Sequence, residues 1–154
     1  NNQGLTALMW AALNGHDQVC SIASSEYVDS CRQLLCARFH TFSSHRLEQV
    51  ARALIKAGAA VNHAAGQGGT ALMLACQNNH KLCARALIEA NANLDHQTPK
   101  KVTALNLACE NAHEECAVLL LQAGSRSADI ADAWGDTPHS IAEKKGLKKV
   151  LALM

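Results

Sequence analysis

Aromatic residues are scarce in this chain: two Trp, two Phe and one Tyr among 154 residues. A core of large rings is therefore excluded, and the interior must be built from Ala, Leu, Ile, Val and Cys. Alanine at core positions demands elements that approach closely, as stacked helices do. A dominant charge is also missing. The formal net charge is +1, which gives no global electrostatic case for nucleic acid or a membrane surface. No apolar run approaches the ~20 residues of a membrane span, and no secretory signal is visible. The chain starts at Asn1, so it reads as a fragment, and a missing targeting segment proves little. There is no GxSxG, HExxH or phosphate-binding loop, and no carboxylate pair tied to a cleft. The expectation is a protein that is not an enzyme, with no cofactor and no small-molecule substrate.

Cysteine is present but unpaired in pattern. Seven cysteines are an odd number, and none lies in a CxxC pair, against a zinc ribbon or a closed disulfide framework. A reducing, intracellular compartment, the cytoplasm, is the simpler expectation. With 49% hydrophobic residues, the chain has the composition of one folded domain rather than a disordered one.

What the chain does have is self-similarity. GLTALMWAALNGH (residues 4–16), GGTALMLACQNNH (68–80) and KVTALNLACENAH (101–113) are near copies. From Thr70 to Thr103 is 33 residues and from Thr103 to Thr137 is 34. LIKAG (54–58), LIEAN (87–91) and LLQAG (120–124) recur at the 33-residue period. Thr6, Thr70, Thr103 and Thr137 are suited to cap a helix by accepting from an orphan backbone N–H. Leu72 and Leu74, Leu105 and Leu107, and His139 and Ile141 follow at two and four residues. Ala75, Ala108 and Ala142 come at the fifth position. This makes one apolar face with a small residue where two helices touch. The first helix of each unit is expected to stop at Gly15, Asn79, Ala112 or Gly146, and the second at Gly58, Asn91 or Gly124. Glycine and asparagine enter the left-handed region cheaply; Ala112 does not. No unit buries its apolar face alone, so neighbours must stack.

The anchors TALMWA (6–11), TALMLA (70–75), TALNLA (103–108) and TPHSIA (137–142) resemble the helix start of the ankyrin repeat family, and the 33-residue unit is similar to that family's. The resemblance covers residues 1–16 and 45–154. It implies an all-α solenoid of stacked helix-turn-helix units with projecting hairpin arms. Departures are Ala for Pro in three units, Met or Asn for the histidine of the helix start, and His139 in a leucine slot. The expected domain is 1–154, divided into 4–62, 63–95, 96–129 and 130–154. Thr6 to Thr70 is 64 residues, so the first unit carries a surplus. Helical spacing of Val28, Cys31, Leu34, Leu35 and Phe39 favours a helical insertion over 17–44 above a decayed extra repeat.

Cys76 and Cys83 recur as Cys109 and Cys116, but these slots hold Ala12 and Val50 elsewhere. They read as core positions, where cysteine acts as a small hydrophobe, rather than as metal ligands. Cys20, Cys31 and Cys36 fall in the insertion. His16, His80 and His113 share one slot at the inter-helix turn, and His63 and His96 share another. Equivalent slots stack roughly 10 Å apart, the spacing of packed helices, so a shared metal is not expected. Trp10 fills a leucine slot and reads as core. Lys144, Lys145, Lys148 and Lys149 read as the polar face of a terminal unit.

The family resemblance implies recognition of another protein through arm tips and first helices lining a concave surface. The tips are Ala65-Gly66-Gln67, Thr98-Pro99-Lys100 and Asp132-Ala133-Trp134. The candidate partner-binding residues are Gln67, Met73, Lys100, Lys101, Asn106, Asp132 and Trp134. It also implies that an arm asparagine such as Asn62 is open to hydroxylation, although Ala60 replaces the usual acidic residue. The expected function is a non-catalytic protein-binding scaffold. The alternatives are a subunit of a large assembly held through the insertion, and a recruiting domain of a longer enzyme.

Overall fold

The computed structural model describes residues 44–154. The expectations placed on Thr6, Trp10, Gly15, His16, Cys20, Cys31 and Cys36, and on the stretch 17–43, lie outside these residues. The described chain is all-helical, with no strand: α1 (Ser44–Lys56), α2 (Ala71–Gln77), α3 (Lys81–Glu89), α4 (Ala104–Glu110), α5 (Glu114–Gln122), α6 (Pro138–Lys145) and α7 (Lys148–Leu151). A single 3-10 turn covers Ser127–Asp129.

The helices start where the threonines are. Thr70, Thr103 and Thr137 are extended, and each hydroxyl accepts from the backbone N–H three residues on. Asn106 and Ser140 return the bond to the threonine N–H and complete a capping box. Met73 has no group with which to do so. Such caps contribute about 1 kcal/mol each. The stops are equally regular. Asn79, Ala112 and Gly146 are left-handed, with φ of 57°, 56° and 69°. The next N–H then reaches back five residues, from His80 to Ala75, His113 to Ala108 and Leu147 to Ala142, at 2.8–3.0 Å. Gly58, Asn91 and Gly124 end the second helices in the same way.

Packing follows the period. The first helices touch in series, α2 to α4 to α6, and the second helices do likewise, α1 to α3 to α5 to α7. Within a unit, α2 meets α3, α4 meets α5 and α6 meets α7. Ala75, Ala108 and Ala142 are wholly buried at the helix crossings, as are Cys83, Ala84 and Leu87 with their counterparts Cys116, Ala117 and Leu120. Val50, Ala51 and Leu54 bring α1 into the same core. The leucine slot filled by His139 is the exception. Leu72 and Leu105 are buried there, whereas the imidazole is 44% exposed and turns to Glu143.

Polar groups tie successive units together. His113 Nε2 bonds Gln77 O at 3.1 Å. Asn62 Oδ1 accepts from Asn93 N at 2.7 Å, and Asp95 in the equivalent place accepts from Arg126 N and from Ser125 Oγ. Lys81 pairs with Glu115, and Lys149 with Glu114.

Two substitutions test these backbone assignments. Ala112 is exposed and left-handed, so Ala112→Gly should raise stability by about 1 kcal/mol in urea unfolding, by removal of the steric penalty. Gly68 has φ of +78°, and an added Cβ would lie 2.7 Å from Pro99 Cδ. Gly68→Ala should therefore cost roughly 1–3 kcal/mol.

Candidate functional site

The three connecting turns share one construction. In Ala65–Gly69, Thr98–Val102 and Asp132–Asp136 the first N–H donates to the fifth carbonyl, at 2.9–3.0 Å. The fourth N–H returns to the first carbonyl. This geometry forces the fourth residue left-handed: Gly68, Lys101 and Gly135 have φ of 78°, 58° and 86°. Thr98 Oγ1 adds a bond from Val102 N, and Asp132 Oδ1 accepts from both Trp134 N and Asp136 N. Neighbouring turns are joined as well. Ala133 N donates to Lys100 O at 2.9 Å, and His96 Nε2 bonds Gly68 O at 3.0 Å.

The middle of each turn is therefore presented on a fixed backbone. Gln67, Lys100, Lys101 and Trp134 are exposed. Trp134 is 67% exposed, the most exposed large hydrophobic among the described residues, and Lys100 Nζ sits 5.4 Å from its ring centroid. A cation over an exposed ring at that distance contributes about 0.5–1 kcal/mol.

The other three candidates are placed differently, and the expectation of direct contact is corrected for them. Met73 and Asn106 are buried, at 2% and 0% exposure. They occupy the third position of α2 and α4, which faces the adjoining helices instead of solvent. Asn106 serves its own cap, with Oδ1 accepting from Thr103, and its Nδ2 is the one buried side-chain polar atom among the described residues without a partner. Asp132 is also buried, its carboxylate committed to the N–H groups of Trp134 and Asp136. It fixes the backbone of the turn that carries Trp134.

Charge around the turns is uneven. Lys100 and Lys101 have no carboxylate partner among the described residues. Behind them, Asp136 is paired with Lys144, whose hydrogen bond lowers the carboxyl pKa. Glu110 is pushed the other way by burial and by the neighbouring Asp132 and Asp136, with Lys145 opposing.

The cysteines behave as core. Cys76, Cys83, Cys109 and Cys116 are free and wholly buried. Burial pushes the Cys83 and Cys109 thiols up to about 12. The Cys76 thiol is held well above its ordinary value by its hydrogen bond to Cys116 and by burial. No group of three or more His, Cys, Asp or Glu among the described residues is placed to hold a metal ion. Of the histidines, His96 and His113 are used as links between units. The Asn62 amide is likewise engaged at both ends, its Nδ2 donating to Asn91 O. On the second helices, a shallow groove of about 250 Å³ is lined by Arg85, Val118 and Leu119 between the Lys81–Glu115 and Lys149–Glu114 pairs. Sequence spacing gave no sign of it, because its residues come from two helices and the chain end.

Comparison with known families agrees with this geometry. A family model described as ankyrin repeats (3 copies) matches residues 23–132. The chain belongs to the ankyrin repeat family. Its members are generally protein-interaction modules without catalytic activity. No curated protein matches the chain significantly. No helix among the described residues is long and apolar enough to cross a membrane.

The thiols make a pH prediction. A folded-state pKa near 12 against an ordinary 9.0 means that the folded chain keeps protons the unfolded chain releases. Their contribution to stability is complete below about pH 9 and is lost as pH rises towards 12. Urea midpoints should fall across that window, and less steeply in a Cys83→Ala, Cys109→Ala variant. Iodoacetamide at pH 8 should leave all four cysteines unlabelled in peptide mass spectra until urea is added.

Proposed function

We propose that the chain is a non-catalytic protein-interaction scaffold. Its stacked units form a solenoid, its connecting turns project as arms, and the row of turn residues Gln67, Lys100, Lys101 and Trp134 meets the partner. The observation that carries this reading is Trp134: a large apolar ring left 67% exposed on a turn whose backbone is fixed by Asp132. Exposed aromatic side chains held in one geometry are the residues that anchor protein interfaces. Family membership supports the same reading. The free, buried cysteines among the described residues fit a reducing intracellular compartment, the cytoplasm.

The units of this scaffold are 4–62, 63–95, 96–129 and 130–154, with residues 17–44 an insertion in the first. The family match begins at residue 23, inside that stretch. Its removal tests the division. Deletion of 17–44 should leave a cooperative thermal transition and full helical circular dichroism; loss of cooperative folding would make the stretch a repeat.

The binding surface is tested by Trp134→Ala. Its thermal midpoint should fall by no more than a few degrees, because the ring is outside the core and loses only the Lys100 contact of about 0.5–1 kcal/mol. Proteins captured by the parent chain should be bound about 30-fold more weakly by the variant, the effect of losing an interface anchor of about 2 kcal/mol. Undiminished capture of every partner would remove this surface from consideration.

A further inference from the structure

The turn residues say more than where a partner docks. Lys101 occupies the slot that is glycine in both sister turns, Gly68 and Gly135, and adopts the same left-handed backbone, with φ of 58°. An L-residue there is strained by its Cβ. The turn's backbone bonds impose this conformation, as the helix stop imposes it on Ala112. What marks Lys101 is its side chain, an exposed ammonium group that forms no ion pair with a carboxylate among the described residues. Next to it, Lys100 is held over the Trp134 ring, and its own backbone carbonyl is tied to Ala133 N. One ammonium group thus stands over a flat apolar surface, and a second exposed lysine follows it on the same turn.

The nearby carboxylates do not neutralise them. Asp132 is buried and committed to two N–H donors, Asp136 is paired with Lys144, and Glu110 has its carboxyl pKa raised by burial and by Asp132 and Asp136, with Lys145 opposing. Gln67, on the adjoining turn, is exposed and uncharged.

Resting on the protein-binding reading above, we propose that this row takes an acidic, extended segment of a partner protein, with carboxylates on Lys100 and Lys101 and a flat apolar side chain on Trp134. A partner of this kind supplies the charge that the turns lack and covers the ring in one contact. Nucleic acid is the less fitting ligand. Two lysines on a chain of net charge +1 do not track a phosphate backbone, whose binding scales with the number of phosphates neutralised.

The test is selection of short random peptides displayed on phage against the full chain, with Trp134→Ala as the counter-selection target. Peptides that depend on Trp134 should carry an excess of Asp and Glu beside an aromatic, Pro or Leu residue. Synthesised with Gln for Glu, they should bind at least about tenfold more weakly, and their binding should weaken with added salt. Lys101→Gly should bind them roughly three- to tenfold more weakly while its thermal midpoint rises, since the backbone strain is relieved. Trp134-dependent peptides that are neutral or basic would overturn the acidic partner and leave the docking surface standing. Peptides that ignore Trp134 would remove both. Binding of a single-stranded oligonucleotide or of phosphatidylserine vesicles, abolished by Lys100→Ala and Lys101→Gly, would also overturn the proposal in favour of those ligands.

Discussion

Everything in this structure depends on small residues where helices cross. Ala75, Ala108 and Ala142 are wholly buried, and each lies on a helix that must contact both its partner in the unit and the equivalent helix of the next unit. A larger side chain there would force the axes apart and cost about 1–3 kcal/mol. With so few aromatics available, close approach is the only way this chain fills its interior. The helices α2 and α4 have only seven residues each, well below the length at which an isolated helix is stable in water. Their stability therefore comes from neighbours, from threonine caps and from carbonyls satisfied by left-handed stops. Fold and stacking are the same event.

The period made much of this legible from sequence. Threonine caps, left-handed stops and cysteines in alanine or valine slots could be read because each occurs more than once in the same register. Ala112 shows how strong the register is. Its side chain disfavours the left-handed region, yet it adopts φ of 56° because the helices on either side are placed by their own contacts. Met73 and Asn106 show where the reasoning broke. They lie on the first helices, which the family resemblance places on the concave surface, and they differ between copies. In a stacked array a position can vary and still be buried, because its neighbours vary with it. The cation over Trp134 is not legible in the sequence for a related reason. Lys100 and Trp134 are 34 residues apart and belong to different turns, and only the backbone bond from Ala133 to Lys100 brings them together.

Asn106 illustrates the compromise that repetition imposes. As the third residue of α4 it completes a capping box that Met73 leaves half-made. The same placement buries its Nδ2 without an acceptor, which costs about 1–3 kcal/mol, comparable with what the box contributes. Ser140 in the equivalent slot has a single oxygen that both receives from Thr137 N and donates to Thr137 O, so nothing is stranded. The two units reach the same helix start with different net gain, which is why near-identical sequences need not be equally stable.

The turns invert that relation between burial and role. Asp132 is buried and Trp134 is exposed, yet the first fixes the second. With Asp132 Oδ1 bonded to the N–H groups of Trp134 and Asp136, the indole starts from a backbone that has little freedom left to lose on binding. A ring on a loose turn would pay that ordering cost at the moment of contact. The middle turn uses Thr98 Oγ1 for part of the same task. The first turn begins with Ala65, which has no side-chain acceptor, and it presents Gln67 between glycines. Its outside support comes instead from His96, whose Nε2 bonds Gly68 O, so the turn that displays the largest ring is the one whose own first side chain does the holding.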